Sequence, residues 1–382
     1  MRTIYLDYNA TTPLDPVVQA AMEPFLAVVF GNPSSAHAIG RQARALLDEF
    51  RERVAKLWAC RPSEIIFTSG GTEANNLAVL GTARALKDRG RHLVTSAIEH
   101  PSVLRPFEYL AKYEGFELSI VRSDPYGRIT PEAVLAAIRD NTILVSIMAA
   151  NNEVGTLQPV SVIGQQVRTR GIAFHTDASQ WFGKEPVQTI DEFEADLVTC
   201  CAHKFHGPKG AGALFVRSPS KLVSMHLGGN QENEHRGGTE NLAAIAGLAL
   251  ALERNTTIPA FSRSALAPLI QRLEKQVFAV AGVRLWGPPL EERLANTLTI
   301  SVEGCDSLSL VAGLDLEGIC VSSGSACSAG SLEPSRVLLS LGATATEASG
   351  VVRFSVGRDN TIADIETAAA AFQAVVQRVR NG

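Results

Sequence analysis

The feature that most narrows the fold of this chain is a repeated coupling of a short apolar run to a polar or glycine-rich turn. Glu64–Phe67, His92–Ala97, Ile143–Ala150, Gly171–Phe174 and Leu197–Cys201 all follow it, the pattern of strands covered on both faces. Between them lie helical periodicities, clearest in Arg41–Trp58, where Leu46, Leu47, Phe50, Val54, Leu57 and Trp58 share one face. Strands alternating with helices predict an α/β architecture around a mostly parallel sheet. Beyond about residue 255 the texture changes. Helical Leu269–Val280, strand-like Thr297–Val302, the glycine- and serine-rich Ser322–Ser331 and strand-like Val351–Val356 predict a second, smaller α+β unit. A last helix places Ile362, Ile365, Ala369, Phe372, Val375, Val376 and Val379 on one stripe, with Thr361 and Asp364 set for a capping box. A chain of 382 residues, 46% hydrophobic, is long enough for two cores.

The formal net charge of -4 gives no basic excess, so neither nucleic acid nor an anionic membrane surface is expected as a partner. Six cysteines, with Cys200 and Cys201 adjacent, do not form the evenly used framework of a secreted domain. There is no charged leader followed by an apolar stretch, and no apolar run long enough to cross a bilayer. The expectation is a soluble cytoplasmic protein that handles a small molecule or another protein.

Ligands of open parallel sheets bind beyond the carboxyl ends of the strands, so the residues that follow each run carry the chemistry. Ser69-Gly70-Gly71-Thr72-Glu73 opens the helical stretch Ala74–Leu86 and reads either as an anion cradle or as a tight turn capped by Thr72. Glu99-His100, Asn151-Asn152-Glu153 and Asp177-Ala178-Ser179-Gln180 follow three further runs. Each alone reads as a polar loop; together they fall on one edge. Asp177 at a strand end suits a protonated ring nitrogen, which a pyridine cofactor needs in order to draw off electrons. Cys200 to Gly210 supplies two lysines past a strand, Lys204 and Lys209, and chemistry alone does not separate them as Schiff-base formers. A zinc site from Cys200, Cys201, His203 and His206 ranks below that, because the ligands crowd one strand end without a second pair.

Cys327 sits in Ser322–Ser331 among small residues only, a composition that suits a reactive thiol on a movable loop better than a packed one; Cys60 and Cys320, by contrast, have apolar neighbours. In Val351–Val356, alternation sets Arg353 opposite Val352, Phe354 and Val356, where its guanidinium can clamp a carboxylate. An edge-strand arginine paired with an acidic neighbour is the plainer reading, and Arg358 is the competing clamp.

Taken in order, Tyr5-Leu6-Asp7-Tyr8-Asn9-Ala10-Thr11-Thr12-Pro13, Gly31-Asn32-Pro33-Ser34-Ser35, Phe67–Glu73, Asn151–Gly155, Ala202-His203-Lys204, Gly238-Thr239-Glu240-Asn241 and Ser322–Cys327 resemble the cysteine desulfurases of the NifS/IscS group. These belong to the aspartate-aminotransferase-like, fold type I pyridoxal-phosphate enzymes. The resemblance runs nearly end to end. It implies a large domain, 14–258, around a mostly parallel seven-stranded sheet, and a small α+β domain from 1–13 and 259–382 that carries the Cys327 loop. It implies pyridoxal 5'-phosphate held covalently by Lys204. Asp177 would face the ring nitrogen, Gln180 the ring hydroxyl and His100 the ring face, with Gly71, Thr72, Cys201, His203 and a partner subunit's Thr239 around the phosphate. Asn152, also counted with the cofactor contacts, and Arg353 would hold L-cysteine. Catalysis would fall to Lys204, His100 and Cys327, giving L-alanine and a persulfide on Cys327 for an acceptor such as an iron-sulfur scaffold. A site completed from a second chain implies a homodimer. A selenocysteine lyase or another lyase on the same fold is the alternative, and a non-catalytic module on it is the reading from another class. Three positions depart from the relatives: Cys201 replaces a serine hydroxyl, Asn230 interrupts a glycine run, and the chain stops soon after its last helix.

Overall fold

The computed structural model describes residues 3–257, 259–324 and 334–381. Its strands, in chain order, are β1 (Ile4–Tyr5), β2 (Ile65–Thr68), β3 (His92–Ser96), β4 (Glu117–Val121), β5 (Thr142–Ser146), β6 (Ala173–Asp177), β7 (Leu197–Cys201), β8 (Gly212–Val216), β9 (Val283–Trp286), β10 (Thr297–Val302), β11 (Ile319–Cys320) and β12 (Val351–Ser355). Seven of them make one sheet in the order β2-β8-β7-β6-β5-β3-β4. The β4–β3, β3–β5, β5–β6 and β6–β7 pairs are parallel. Only β8 runs against its neighbours β7 and β2. Because β2 and β7 both oppose β8, they point the same way, so Thr68, Ser96, Ser146, Asp177 and Cys201 all end at one edge of the sheet. That edge carries the site.

The apolar runs become strands because both faces are covered. Every residue of β2, β3, β5 and β7 is buried. On one side the helix Leu242–Thr257 packs against the helices Pro16–Ala27 and Ala38–Trp58. The resulting core includes Phe67, Phe174, Phe182, Phe205 and Phe215, each contributing roughly 1.5–3 kcal/mol by leaving water. A second core gathers around the antiparallel sheet β12-β10-β9 and the parallel pair β1–β11. Ile4, Leu6, Leu298, Ile300, Phe354 and Phe372 meet there, so the amino-terminal segment packs with the carboxyl-terminal third.

The last helix, Ile362–Asn381, opens with the expected capping box: Asp364 Oδ2 accepts from Thr361 N at 2.9 Å, and Thr361 Oγ1 accepts from Asp364 N at 3.2 Å. The stretch read as a helix from Ala74 begins three residues earlier at Gly71 and runs to Leu86 through a π-helical turn at Leu77–Gly81. The helix read from Leu269 starts at Arg263 and contains Pro268, which reads locally as a break. Strand β5 ends at Ser146, four residues short of the sequence expectation. Ile147–Ala150 stays extended, and Ile147 N and Ala149 N donate to His175 O and Asp177 O at 3.1 and 2.9 Å. Strands β4 and β8 were not expected. The first is a partly exposed edge strand, and the second is a return strand whose burial hides its direction.

Candidate active site

A cleft of about 190 Å³ opens at the common strand edge, lined by Gly71, Thr72, His100, Asn152, Asp177, Gln180, Cys201, His203, Lys204 and Arg353 together with Asn9, Ala10, Asn75 and Ser102. Ten positions singled out from sequence thus converge on one space. Thr239 does not line it; it is exposed on its own chain. Cys327 lies outside the described residues.

Lys204 occupies a single 3-10 turn directly after β7. Its Nζ donates to the carbonyl oxygens of Asn9 and Ala10, both at 2.8 Å. Those carbonyls belong to the amino-terminal segment, which crosses the floor of the cleft with Tyr8 N on Ser355 O and Thr12 N on His203 O. Lys209 is exposed on the following turn and outside the cleft. Of the two lysines, Lys204 alone lines the cleft. Burial and the neighbouring Lys204 and Lys209 charges push the His203 imidazole down to about 4, so it stays neutral beside the lysine.

Asp177 closes β6 and is 5% exposed. Its Oδ1 accepts from Ser179 N at 2.9 Å and its Oδ2 from Asn75 Nδ2 at 2.7 Å. Asn75 also donates to Ser102 Oγ at 2.8 Å, and Ser102 Oγ lies 2.7 Å from His100 Nδ1. A single buried amide therefore ties the carboxylate to the histidine. His100 caps the helix Pro101–Tyr113, and its Nδ1 accepts from Ser102 N at 3.1 Å. A ring nitrogen that accepts from a backbone N–H carries no proton in the neutral tautomer, so the proton sits on Nε2. Burial lowers the proton affinity of His100, the Lys204 charge adds to that, and the Asp177 charge opposes them.

Arg353 is 1% exposed on β12. Its Nη2 donates to Asp7 Oδ1 at 2.7 Å and its Nη1 to Asn152 O at 2.8 Å, while Nε has no partner among the described residues. The plainer sequence reading holds, since β12 is an edge strand and Arg353 has an acidic partner, and the same guanidinium lines the cleft. Arg358 is instead paired with Asp15 at 2.7 Å, away from the cleft. The four candidate zinc ligands do not converge. Cys200 is buried in the core, Cys201 and His203 line the cleft, and His206 packs on Phe261. Cys60 and Cys320 are partly rather than fully buried.

Sequence reasoning missed Asn75, and it noted Glu99 at a strand end without giving it a role. Asn75 lies three positions beyond Thr72 on the same helix, a spacing that puts both on one face. Glu99 is fully enclosed behind the cleft; its Oε1 accepts from Ser96 Oγ at 2.6 Å and Met148 N at 2.9 Å, and Oε2 has no partner among the described residues. Burial lifts its carboxyl to about 8, against about 4.5 when exposed, with Asp177 adding to the shift. A folded-state value above the unfolded one means that the protonated form stabilises the fold. That stabilisation is complete below the unfolded value and is lost as pH rises through about 8. Glu99→Gln should therefore lose less melting temperature than wild type between pH 6 and pH 9; equal losses would contradict the assignment.

Residues and cofactor fit. At Gly71 an added Cβ would lie 3.0 Å from Ser179 Oγ and 3.3 Å from Cys201 Cβ, so a side chain there would crowd the helix opening. Burial raises the Cys201 thiol, which keeps it neutral, a weak donor with no charge to repel a phosphate. The buried Asp177 carboxylate and the open Arg353 Nε suit a ring nitrogen and a carboxylate.

The comparisons place this α/β fold, with its lysine and carboxylate at adjoining strand ends, among the fold type I pyridoxal-phosphate enzymes. The aminotransferase class-V profile matches residues 4–367; the chain belongs to the aminotransferase class-V family. Within it the chain groups with the IscS- and NifS-type cysteine desulfurases. It is 43% identical over 383 residues to the cysteine desulfurase IscS of Dictyoglomus turgidum, covering 99% of this chain and 96% of that one. Among solved structures it is similar to a NifS-like protein, with TM-score 0.91, 34% identity and coverage of 98% and 100%. It is also similar to SspA in complex with cysteine, with TM-score 0.82, 34% identity and coverage of 94% and 100%. The cofactor of the family is pyridoxal phosphate.

Proposed function

We infer that this chain is a pyridoxal-phosphate-dependent cysteine desulfurase that converts L-cysteine to L-alanine and leaves the sulfur as a persulfide on Cys327. The observation that carries this reading is the convergence of Lys204, Asp177, His100 and Arg353 on one cleft. When bound, pyridoxal phosphate supplies an electron-withdrawing ring that stabilises negative charge at the substrate α-carbon.

The chain's own groups divide the remaining work. Lys204 would hold the cofactor, Asp177 its ring nitrogen, Gln180 its ring hydroxyl, and Gly71, Thr72, Cys201 and His203 its phosphate. Arg353, fixed by Asp7 and the Asn152 carbonyl, would take the substrate carboxylate, with Asn152 beside it. Lys204 would take the α-proton and return it, with His100 as the second proton carrier on its Nε2 side. The Cys327 thiolate would then attack the substrate sulfur. The new S–S bond forms as the Cβ–S bond breaks, the electron pair passes to carbon, and protonation gives alanine.

The assignment to Cys327 is supported by elimination. A thiolate is the nucleophile, and burial raises the thiols of Cys60 (to about 12), Cys200, Cys201, Cys305 and Cys320. Reach supports it too. Ser322 exchanges backbone hydrogen bonds with Arg353 at 2.8 and 3.2 Å, and the five residues from Ser322 to Cys327 span at most roughly 18 Å. Purified enzyme given L-cysteine and reductant should release alanine and sulfide in equal amounts; bound cofactor without either product would contradict the reading.

The two cores mark the proposed domains, 14–258 and 1–13 with 259–382. A homodimer is proposed with Thr239 reaching the partner's cleft. Leu26, Val28 and Phe30, exposed at 70%, 76% and 71%, give a second copy an apolar surface to cover. Sedimentation as a monomer at micromolar concentration would contradict it. No helix among the described residues is long and apolar enough to cross a membrane, which fits a cytoplasmic enzyme passing sulfur to an acceptor protein.

A further inference from the structure

Lys184 is 6% exposed, lies below the floor of the cleft rather than in its lining, and takes no part in the chemistry described above. Its Nζ donates to Gln180 Oε1 at 2.5 Å and to Asn9 Oδ1 at 2.6 Å, and it stands 5.2 Å from the centroid of Phe261. Those partners are amide oxygens and a ring face, with no carboxylate among them. An ammonium group buried on such terms costs free energy that a methionine of similar shape would avoid. Lys204 and Arg353 add like charges nearby, and burial together with them lowers the proton affinity of Lys184 well below its ordinary value.

What the lysine provides is orientation. With Lys184 Nζ donating to its Oε1, Gln180 turns its NH2 the other way. Accordingly, Gln180 Nε2 donates to Asn9 O at 3.0 Å, the same carbonyl that receives Lys204 Nζ at 2.8 Å. Asn9 is anchored further by Asn296 Nδ2 on its Oδ1 at 3.0 Å and by its own Nδ2 on Thr297 Oγ1 at 2.8 Å. A cofactor ring oxygen accepts, so it needs the NH2 side of Gln180; a flipped amide would present a repelling carbonyl.

We propose that Lys184 is a positioning residue for the cofactor: it locks the Gln180 amide with its NH2 toward the cleft and steadies the Asn9 carbonyl on which Lys204 rests. This rests on the reading of Gln180 as the ring-hydroxyl contact. The test is titration of the apoprotein with pyridoxal phosphate, followed by the visible band, for wild type, Lys184→Met, Gln180→Leu, the double variant and Lys184→Gln, which keeps an N–H donor. A lost hydrogen bond of ordinary strength predicts about tenfold weaker binding for Lys184→Met and for Gln180→Leu. Because one acts largely through the other, the double variant should fall within about threefold of the weaker single variant, and Lys184→Gln should recover most of the affinity. Wild-type binding by Lys184→Met, additive losses in the double variant, or equal losses for the Met and Gln variants would each overturn the proposal. If Gln180→Leu binds as wild type, the reading of Gln180 fails instead; weakened Gln180→Leu with unchanged Lys184→Met sinks the role of Lys184 alone.

Discussion

Cys327→Ala should bind pyridoxal phosphate as wild type does and yet lose alanine and sulfide formation from L-cysteine by on the order of a thousandfold or more, the scale for deletion of a nucleophile. The two halves of the expectation have separate causes. The cofactor residues are set by β2, β3, β5, β6 and β7 and the turns after them, whereas Cys327 belongs to a segment that joins Cys320 to Ser335. Burial raises the thiols of the other five cysteines, which disfavours the nucleophilic thiolate at each. Retained turnover in this variant would favour a lyase that needs no acceptor thiol, and a comparison of L-cysteine with L-selenocysteine would identify it.

Lys204→Ala should lose the borohydride-fixable attachment of the cofactor, and with it turnover, again by on the order of a thousandfold or more. Two fixed carbonyls, Asn9 O and Ala10 O, hold the Nζ at the cleft floor, and no other cleft-lining residue is a lysine. Lys209→Ala, on an exposed turn, is the matching control and should leave attachment and activity unchanged. Reduction that still labels the Lys204→Ala protein would place the attachment elsewhere, and Lys184, one layer below, would be the residue to examine.

The site was legible wherever its chemistry lies at a strand end. Asp177, Lys204 and His100 each follow an apolar run, and parallel pairing brings those ends together without further information. Choosing Lys204 over Lys209 needed the resemblance first and the fold second, because five residues of sequence do not say which lysine faces inward. The links between site residues were not legible. Asn75 joins Asp177 to Ser102 only because the helix from Gly71 packs on β7, β8 and the helix Pro101–Tyr113, and Asn9 touches Lys204, Gln180, Lys184 and Asn296 only because the amino-terminal segment crosses between the two cores. Contacts between residues of different elements leave no periodic trace. The short strands β4 and β8 were missed for the opposite reason: their local pattern is weak, and their neighbours in the sheet define them.

The central claim is that sulfur leaves cysteine by way of Cys327. The direct measurement is to mix the holoenzyme with one equivalent of L-cysteine without reductant, stop the reaction, and locate any added sulfur by peptide mass spectrometry. The account predicts one extra sulfur atom on the peptide containing Cys327, formed in step with alanine and absent from Cys327→Ala. Alanine formed in full with no added sulfur on Cys327, or with the sulfur on another cysteine, would contradict it.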